Sequence, residues 1–194
     1  HYVQAGSALD GDARDRGTSV YFPDRAVHMF PADLATGLCS LKPRVDRLVQ
    51  SCVVDLDAGG EPTRVGFCDG VIRSHARLTY TGVNAVLTGQ PVPGDPIDAP
   101  VAAMLREMHA LFRLLRDRRR RRGSIDFDLP EAEITLDEEG EVEAITASAR
   151  NDAHRLIEEF MLLANESVAA ELERRDVPAI YRIHEPPDPS KVEI

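Results

Sequence analysis

Between Arg150 and Ala170 the chain reads RNDAHRLIEEFMLLANESVAA, and this stretch restricts the fold more than any other. Apolar residues fall at Ala153, Leu156, Ile157, Phe160, Leu163, Ala164 and Val168, the three-to-four spacing of one helical face. Asp152 can cap such a helix at its start. Met161, Leu162 and Ala169 carry the apolar surface round most of the remaining circumference, which predicts a buried helix. Yet Glu158 and Glu159 sit in its middle, with His154 four residues before Glu158 and Asn165 seven after, so a polar strip runs along it. A carboxylate is costly to desolvate without a partner or a task. Either one of these glutamates pairs with an arginine, or Glu158 lines the floor of a site. Periodicity leaves both open.

A chain of 194 residues, 43% hydrophobic and 29% charged, is long enough to bury a substantial core and has the composition of a globular protein. It holds no run of 18 apolar residues, which speaks against a membrane span, and no signal-peptide pattern. It does not begin with Met, and Glu185-Pro186-Pro187-Asp188-Pro189 reads as a linker, so the expectation is a piece of a longer protein. Cys39, Cys52 and Cys68 are odd in number and lack C-x-x-C spacing, the pattern expected of buried free thiols in a reducing cytoplasm rather than of a zinc site. A net charge of −10 argues against a general nucleic-acid coat but not against a local basic groove.

In chain order, Ser7 opens a short helix that Gly17 ends, Thr18–Phe22 is a strand stopped by Pro23-Asp24, and Pro31 starts a second short helix closing near Gly37. Leu48–Leu56, with Leu48, Gln50, Cys52, Val54 and Leu56 on one side, forms a hairpin with Val65–Arg73 across Asp57-Ala-Gly-Gly60. Ser74–Leu87 reads as a helix broken by Gly89. Another starts at Pro100, with a stripe of Met104, Leu105, Met108, Leu111, Phe112 and Leu115, and runs into Arg118–Arg122. Ile125–Phe127 alternates as a strand, Ile134–Leu136 and Val142–Ile145 form a second hairpin, and Ile180–His184 reads as a last strand. Strands and helices joined mostly by hairpins predict one domain of α+β class, with an antiparallel-rich mixed sheet flanked by helices.

The arginine run needs no function as a solvated helix end; as a phosphate contact it gains weight only with aromatic rings nearby, and aromatics make up 5% of the chain. Tyr21, Tyr80 and Phe127 each stand near the edge of an expected element. No G-x-x-x-x-G-K, G-x-G-x-x-G or G-x-S-x-G pattern occurs, and Pro186 and Pro187 forbid a zincin helix after His184-Glu185.

Taken together, HYVQAGSALDGDARDRGTSVYFPDR (1–25), LCSLKPRVDRL (38–48), SHARLTY (74–80), RGSIDFDLPEA (122–132), RNDAHRLIEEFMLLAN (150–165) and YRIHEPPDP (181–189) resemble, in order, the catalytic domain of the RNase II/RNase R family of 3′→5′ exoribonucleases, closest to the RNase R type. The resemblance implies Mg²⁺-dependent, two-metal hydrolysis of single-stranded RNA to nucleoside 5′-monophosphates, by a cytoplasmic protein that acts as a monomer. By motif position, Tyr21 in SVYFP and Phe127 in IDFD resemble the aromatic clamp on the 3′-terminal bases, and Tyr80 in ARLTY the ring that closes the pocket and sets the final product length. Glu158, the first acid of IEEF, resembles the glutamate that positions the terminal nucleotide near the scissile bond. The family's metal-binding aspartates correspond to positions upstream of His1, and Asp10, Asp12, Asp15 and Asp24 do not match them. The isolated stretch is therefore expected to be inactive. A family-like module that grips RNA or a protein without cutting is the competing expectation.

Overall fold

The structure, a computed structural model, describes residues 2–124, 132–147 and 150–183. The expected strand at 125–127, with Phe127, lies outside them, as does His184. The described chain is α+β, with small antiparallel sheets and helices. Its strands pair as three separate two-stranded sheets.

Local chemistry explains most of the boundaries. Ser7 Oγ accepts the Asp10 N–H at 3.3 Å and opens α1 (Ala8–Arg16), which Gly17 closes with its N–H on the Ala13 carbonyl. β1 (Val20–Tyr21) and β2 (Ala26–Val27) form a short hairpin held by the Phe22 N–H on the Arg25 carbonyl at 2.7 Å. Pro31 precedes a π-helical turn, Asp33–Leu38. β3 (Asp46–Leu56) and β4 (Pro62–Arg73) make the long hairpin, and β5 (Ala132–Leu136) and β6 (Val142–Ala147) the third. In the long hairpin Asp57 Oδ1 accepts the N–H groups of Gly59 at 2.8 Å and Glu61 at 2.9 Å, hydrogen bonds that hold its carboxyl below the usual range.

Three helices build the core. α2 (Tyr80–Thr88), α3 (Ala99–Arg121) and α4 (Asp152–Arg174) pack on one another, and α4 also meets β3. Val101, Leu105, Phe112 and Leu115 of α3 are buried against Ala85 of α2 and Ala153 and Leu156 of α4, and Phe112 is fully enclosed. The long hairpin docks on α3 through its turn. Gly60 has φ +84 and is buried there, and a Cβ on it would stand 3.2 Å from Leu114 Cγ, so glycine is needed for both conformation and space. Beside it, Arg118 donates to both oxygens of Glu61 at 2.6 Å.

Several expectations are corrected. Residues 74–79 are not helical: α2 starts only at Tyr80, where Thr79 Oγ1 accepts the Gly82 N–H at 3.1 Å. Residues 180–183 form no strand. Met104 is exposed, because the buried stripe of α3 runs through Val101 and Leu105 instead. The face of β3 switches along its length. Cys52, Val54 and Leu56 are partly covered near the turn, whereas at the other end Leu48 is exposed and Val49 is covered. The thiols are free but not buried: Cys39 and Cys68 are exposed and Cys52 is half-buried. Among the described residues no helix is long and apolar enough to cross a membrane.

Truncating the enclosed ring should be far more costly than truncating the exposed methionine. Phe112→Ala is expected to lower unfolding free energy by about 3–5 kcal/mol in urea titrations, and Met104→Ala by less than about 1 kcal/mol.

Candidate functional site

The N-terminal turns of α4 carry the polar strip. Asn151, not Asp152, is the N-cap; Asp152 is the first helical residue. Asn151 Oδ1 accepts the N–H groups of Ala153 at 3.0 Å and His154 at 3.4 Å, which identifies it as the oxygen. His154 Nδ1 lies 2.9 Å from the same Oδ1, and two acceptors cannot share a hydrogen bond, so Nδ1 carries the proton in this network. Protonated, Nδ1 cannot also accept the Asn151 N–H 3.4 Å away, so the reciprocal bond of a capping box is not made.

Held in this way, the His154 imidazole stacks on the phenol ring of Tyr80, with centroids 4.0 Å apart and planes inclined by 22°. Such a ring pair contributes about 0.5–1.5 kcal/mol beyond the area it covers. Tyr80 is half-exposed. Thr79 and Gly82, which flank it in sequence, line a groove of ≈630 Å³ together with Arg44, His75, Arg77 and Asp98. Gly82 is buried there, and a Cβ on it would stand 3.2 Å from the capping Thr79 Oγ1.

One turn beyond His154, on the same side of α4, Glu158 is clasped by Arg150: Nε donates to Oε1 at 3.1 Å and Nη2 to Oε2. The carboxylate keeps 44% of its side-chain surface open. Glu159 differs sharply. It is 5% exposed and receives Arg119 Nε at 2.8 Å, while Arg119 Nη1 donates to Ser124 Oγ at 2.8 Å. Both glutamates are thus arginine-paired, and the buried member is Glu159. Sequence held the signal: Glu159 lies three residues after Leu156 and four before Leu163, at the centre of the buried face. The broad apolar surface of α4 is not all enclosed, since Ile157, Met161, Leu162 and Val168 are exposed.

The arginine run is not a plain solvated helix end. Arg118 reaches Glu61, Arg119 reaches Glu159, and Arg122 reaches Glu166 at 3.0 Å, which ties the C-terminus of α3 to the long hairpin and to α4. At the other end of α4, His109 Nε2 of α3 lies 3.0 Å from Asp152 Oδ2. This hydrogen bond, outweighing partial burial, holds the Asp152 carboxyl below its usual pKa.

Tyr21 stands elsewhere, on the β1–β2 hairpin, 77% exposed. Among the described residues no hydrogen bond, ion pair or ring stack joins it to Tyr80, His154 or Glu158. The structure therefore sets Tyr80 against His154, one helical turn before Glu158, joins Tyr21 to none of them, and does not describe Phe127. Sequence reading missed Arg150, Asn151 and the stacking role of His154. The R-N-D-x-H spacing that opens α4 was their only trace.

Asp10 accepts the Gly6 N–H at 2.9 Å, Asp12 pairs with Arg16 at 3.0 Å and Asp24 with Arg25 at 2.8 Å. Among the described residues no group of three or more His, Cys, Asp or Glu side chains converges. The described residues alone do not fit a two-metal centre.

Known proteins place this arrangement. The family model of the RNB domain matches residues 1–194, and the chain belongs to the RNB domain family. It is similar to Ribonuclease R of Aquifex aeolicus, 46% identical over 193 residues, and to Ribonuclease R of Escherichia coli, 44% identical over 187 residues. These matches cover 100% and 96% of this chain but only 27% and 23% of the relatives, so the chain spans about a quarter of their length. Mycoplasma genitalium RNase R has the same fold, with a TM-score of 0.92 and 31% identity over 100% of this chain and 30% of that one. Its solved structures include complexes with ribose-methylated single-stranded RNA and with double-stranded RNA.

Removing the buried carboxylate takes from Arg119 its acid partner and leaves it only the Ser124 hydroxyl. Glu159→Ala should cost about 2–4 kcal/mol in chemical denaturation, clearly more than Glu158→Ala. Because the folded-state pKa of Asp152 is depressed, its charge stabilises the fold above the ordinary aspartate range and that contribution is lost as pH falls through the lowered value. The melting-temperature gap between the natural chain and Asp152→Asn should be open at neutral pH, begin to narrow below about pH 4 and close only below the lowered value.

Proposed function

We propose that this chain is part of a processive 3′→5′ exoribonuclease that hydrolyses single-stranded RNA to nucleoside 5′-monophosphates, and that the isolated 194 residues are inactive. The observation that carries this reading is the Tyr80–His154–Glu158 row on an RNB-family frame that resembles Ribonuclease R throughout its length. Mg²⁺ is the proposed cofactor, held by carboxylates outside the described residues and supplying the activated water and leaving-group stabilisation. The intact protein is read as a cytoplasmic monomer, as the family resemblance implies.

The chemistry of each side chain suits a substrate read without regard to base sequence. Tyr21 offers an exposed ring, and with Phe127 it would stack on the 3′-terminal bases, at about 1–3 kcal/mol per base. Tyr80, beside the ≈630 Å³ groove, would close the far end of the base pocket and set where shortening stops. Glu158 is an acceptor-only group fixed in direction by Arg150 and half open to solvent, suited to take hydrogen bonds from hydroxyls of the terminal nucleotide.

The test uses 5′-labelled single-stranded RNA with the intact parent protein and with the 194-residue chain, each in Mg²⁺ and in EDTA. Stepwise shortening by the parent in Mg²⁺ alone is expected, with RNA left intact by the isolated chain. In the parent, Tyr21→Ala should weaken RNA binding by roughly tenfold or more, and Glu158→Ala should lower kcat. A parent that binds RNA and never shortens it would establish the non-catalytic binding module instead. Mg²⁺-dependent shortening by the isolated chain would overturn the placement of the metal ligands.

A further inference from the structure

We propose that the ≈630 Å³ groove beside α2 is a product site for a nucleoside 5′-monophosphate, with Arg44 and Arg77 on the phosphate and Asp95 and Asp98 on donors of the sugar and base. The inference rests on the exoribonuclease reading for the identity of that ligand, and on the groove alone for its chemistry. Arg44 has φ 62, a left-handed backbone that a β-carbon disfavours and that Gly or Asn adopts with less strain. The conformation is anchored: the Arg44 N–H donates to the Ser74 carbonyl at 2.7 Å, next to the bridge between Pro43 and Ser74. That bridge lays the Arg44 segment alongside the one that carries Arg77, so two guanidinium groups line one concavity. Among the described residues neither meets an acid or a hydrogen-bond acceptor. The arginines nearest them in sequence do: Arg73 reaches Asp46 at 2.6 Å, and Arg47 the Ser40 carbonyl at 2.9 Å. In a chain of net charge −10, two unpaired arginines in one groove make a ready place for an anion.

The rest of the groove suits one nucleotide better than a polyanionic strand. Asp95 and Asp98 line it too, from the loop that leads into α3, and would repel successive phosphates. Asp98 occupies the N-cap position of α3 without a capping hydrogen bond, and its Oδ2 lies 3.4 Å from His75 Nε2 instead. A single nucleotide brings one phosphate for the arginines, and hydroxyl and amino donors for the carboxylates. Val92, Pro93, Pro96 and Ile97 supply apolar surface for its base. Prolines at 91, 93 and 96 stiffen this loop, so little ordering is needed on binding. The volume falls in the range of small-ligand sites, about 300–1,000 Å³.

The experiment measures binding of AMP, adenosine, inorganic phosphate and a single-stranded RNA oligonucleotide to the intact parent protein, by calorimetry in EDTA so that no hydrolysis competes. The variants are Arg44→Gly, Arg77→Ala, Asp95→Ala with Asp98→Ala, and Tyr21→Ala, each with its melting temperature recorded. Arg44→Gly suits the left-handed backbone, so a loss of binding there is not a folding defect. AMP is expected to bind at least about tenfold more tightly than adenosine, and Arg44→Gly and Arg77→Ala should each weaken it roughly tenfold, as lost charge-assisted hydrogen bonds do. RNA affinity should change less than about twofold in the same two variants. Removing both aspartates should lower the preference for AMP over inorganic phosphate. AMP binding that is absent, or that survives both arginine variants and is lost in Tyr21→Ala, would overturn the inference, the latter placing the nucleotide in the base clamp. RNA weakened as strongly as AMP would also overturn it, giving the arginines to the strand. An unchanged preference in the aspartate variant would overturn the nucleotide assignment and leave a phosphate site. A parent that shortens RNA in Mg²⁺ but fails these binding tests refutes the groove alone. One that binds AMP through both arginines and never shortens RNA refutes the exoribonuclease reading, and the product role with it.

Discussion

The ion pair between Arg119 of α3 and Glu159 of α4 fixes the relation of the two longest helices, and the site depends on that relation. Glu159 is almost wholly enclosed, so its charge is tolerable only because the guanidinium reaches it at 2.8 Å. A buried pair of this kind is sensitive to sliding and to rotation. Moving α4 by one residue would turn Glu159 through about 100° and put Glu158 or Phe160 in its place. The pair therefore sets α4's register, and with it the direction in which Asn151, His154 and Glu158 face.

The arginine run at the end of α3 acquires its purpose in the same way. Cations there favour the helix dipole whatever they touch. Three of them also reach separate acids: Glu61 in the turn of the long hairpin, Glu159 in the core and Glu166 farther along α4. The Glu61 contact works only because the turn comes close, and it comes close because Gly60 has no side chain to strike Leu114. In a chain with net charge −10, much of this basic cluster is consumed internally. Net charge and local charge density thus reveal little about where a polyanion would lie.

At the site, burial divides two adjacent glutamates into different tasks. Glu159 serves cohesion, and Glu158 stays open enough to meet a ligand while Arg150 fixes its direction. Tyr80 is treated likewise: its backbone is set by the Thr79 cap, one ring face is covered by His154, and the remainder faces outward. The exposed side chains of the candidate site are held by neighbours that are themselves held, and the order passes from the core through the helix cap to the exposed ring.

The sequence by itself determined the class of the fold, two of the three described hairpins, most helix ends and the family. These follow from short-range rules: Ser7 and Gly17 bracket α1, Asp57 with Gly60 turns the long hairpin, and the period of α4 marks it as amphipathic. It also pointed to Tyr80 and Glu158 through the motifs that surround them. Only the tertiary structure decided that Glu159 and not Glu158 is buried, that Asn151 and not Asp152 caps α4, that α2 begins at Tyr80, and that His154 lies against that ring. The first and last of those outcomes depend on which neighbour arrives from 40 or more residues away, as Arg119 does for Glu159 and Tyr80 for His154; the other two turn on which of several local caps wins. A periodic pattern fixes a face to within about one residue, or 100° of helix. The choice between adjacent side chains is made by packing and by the cost of leaving a charge without its partner.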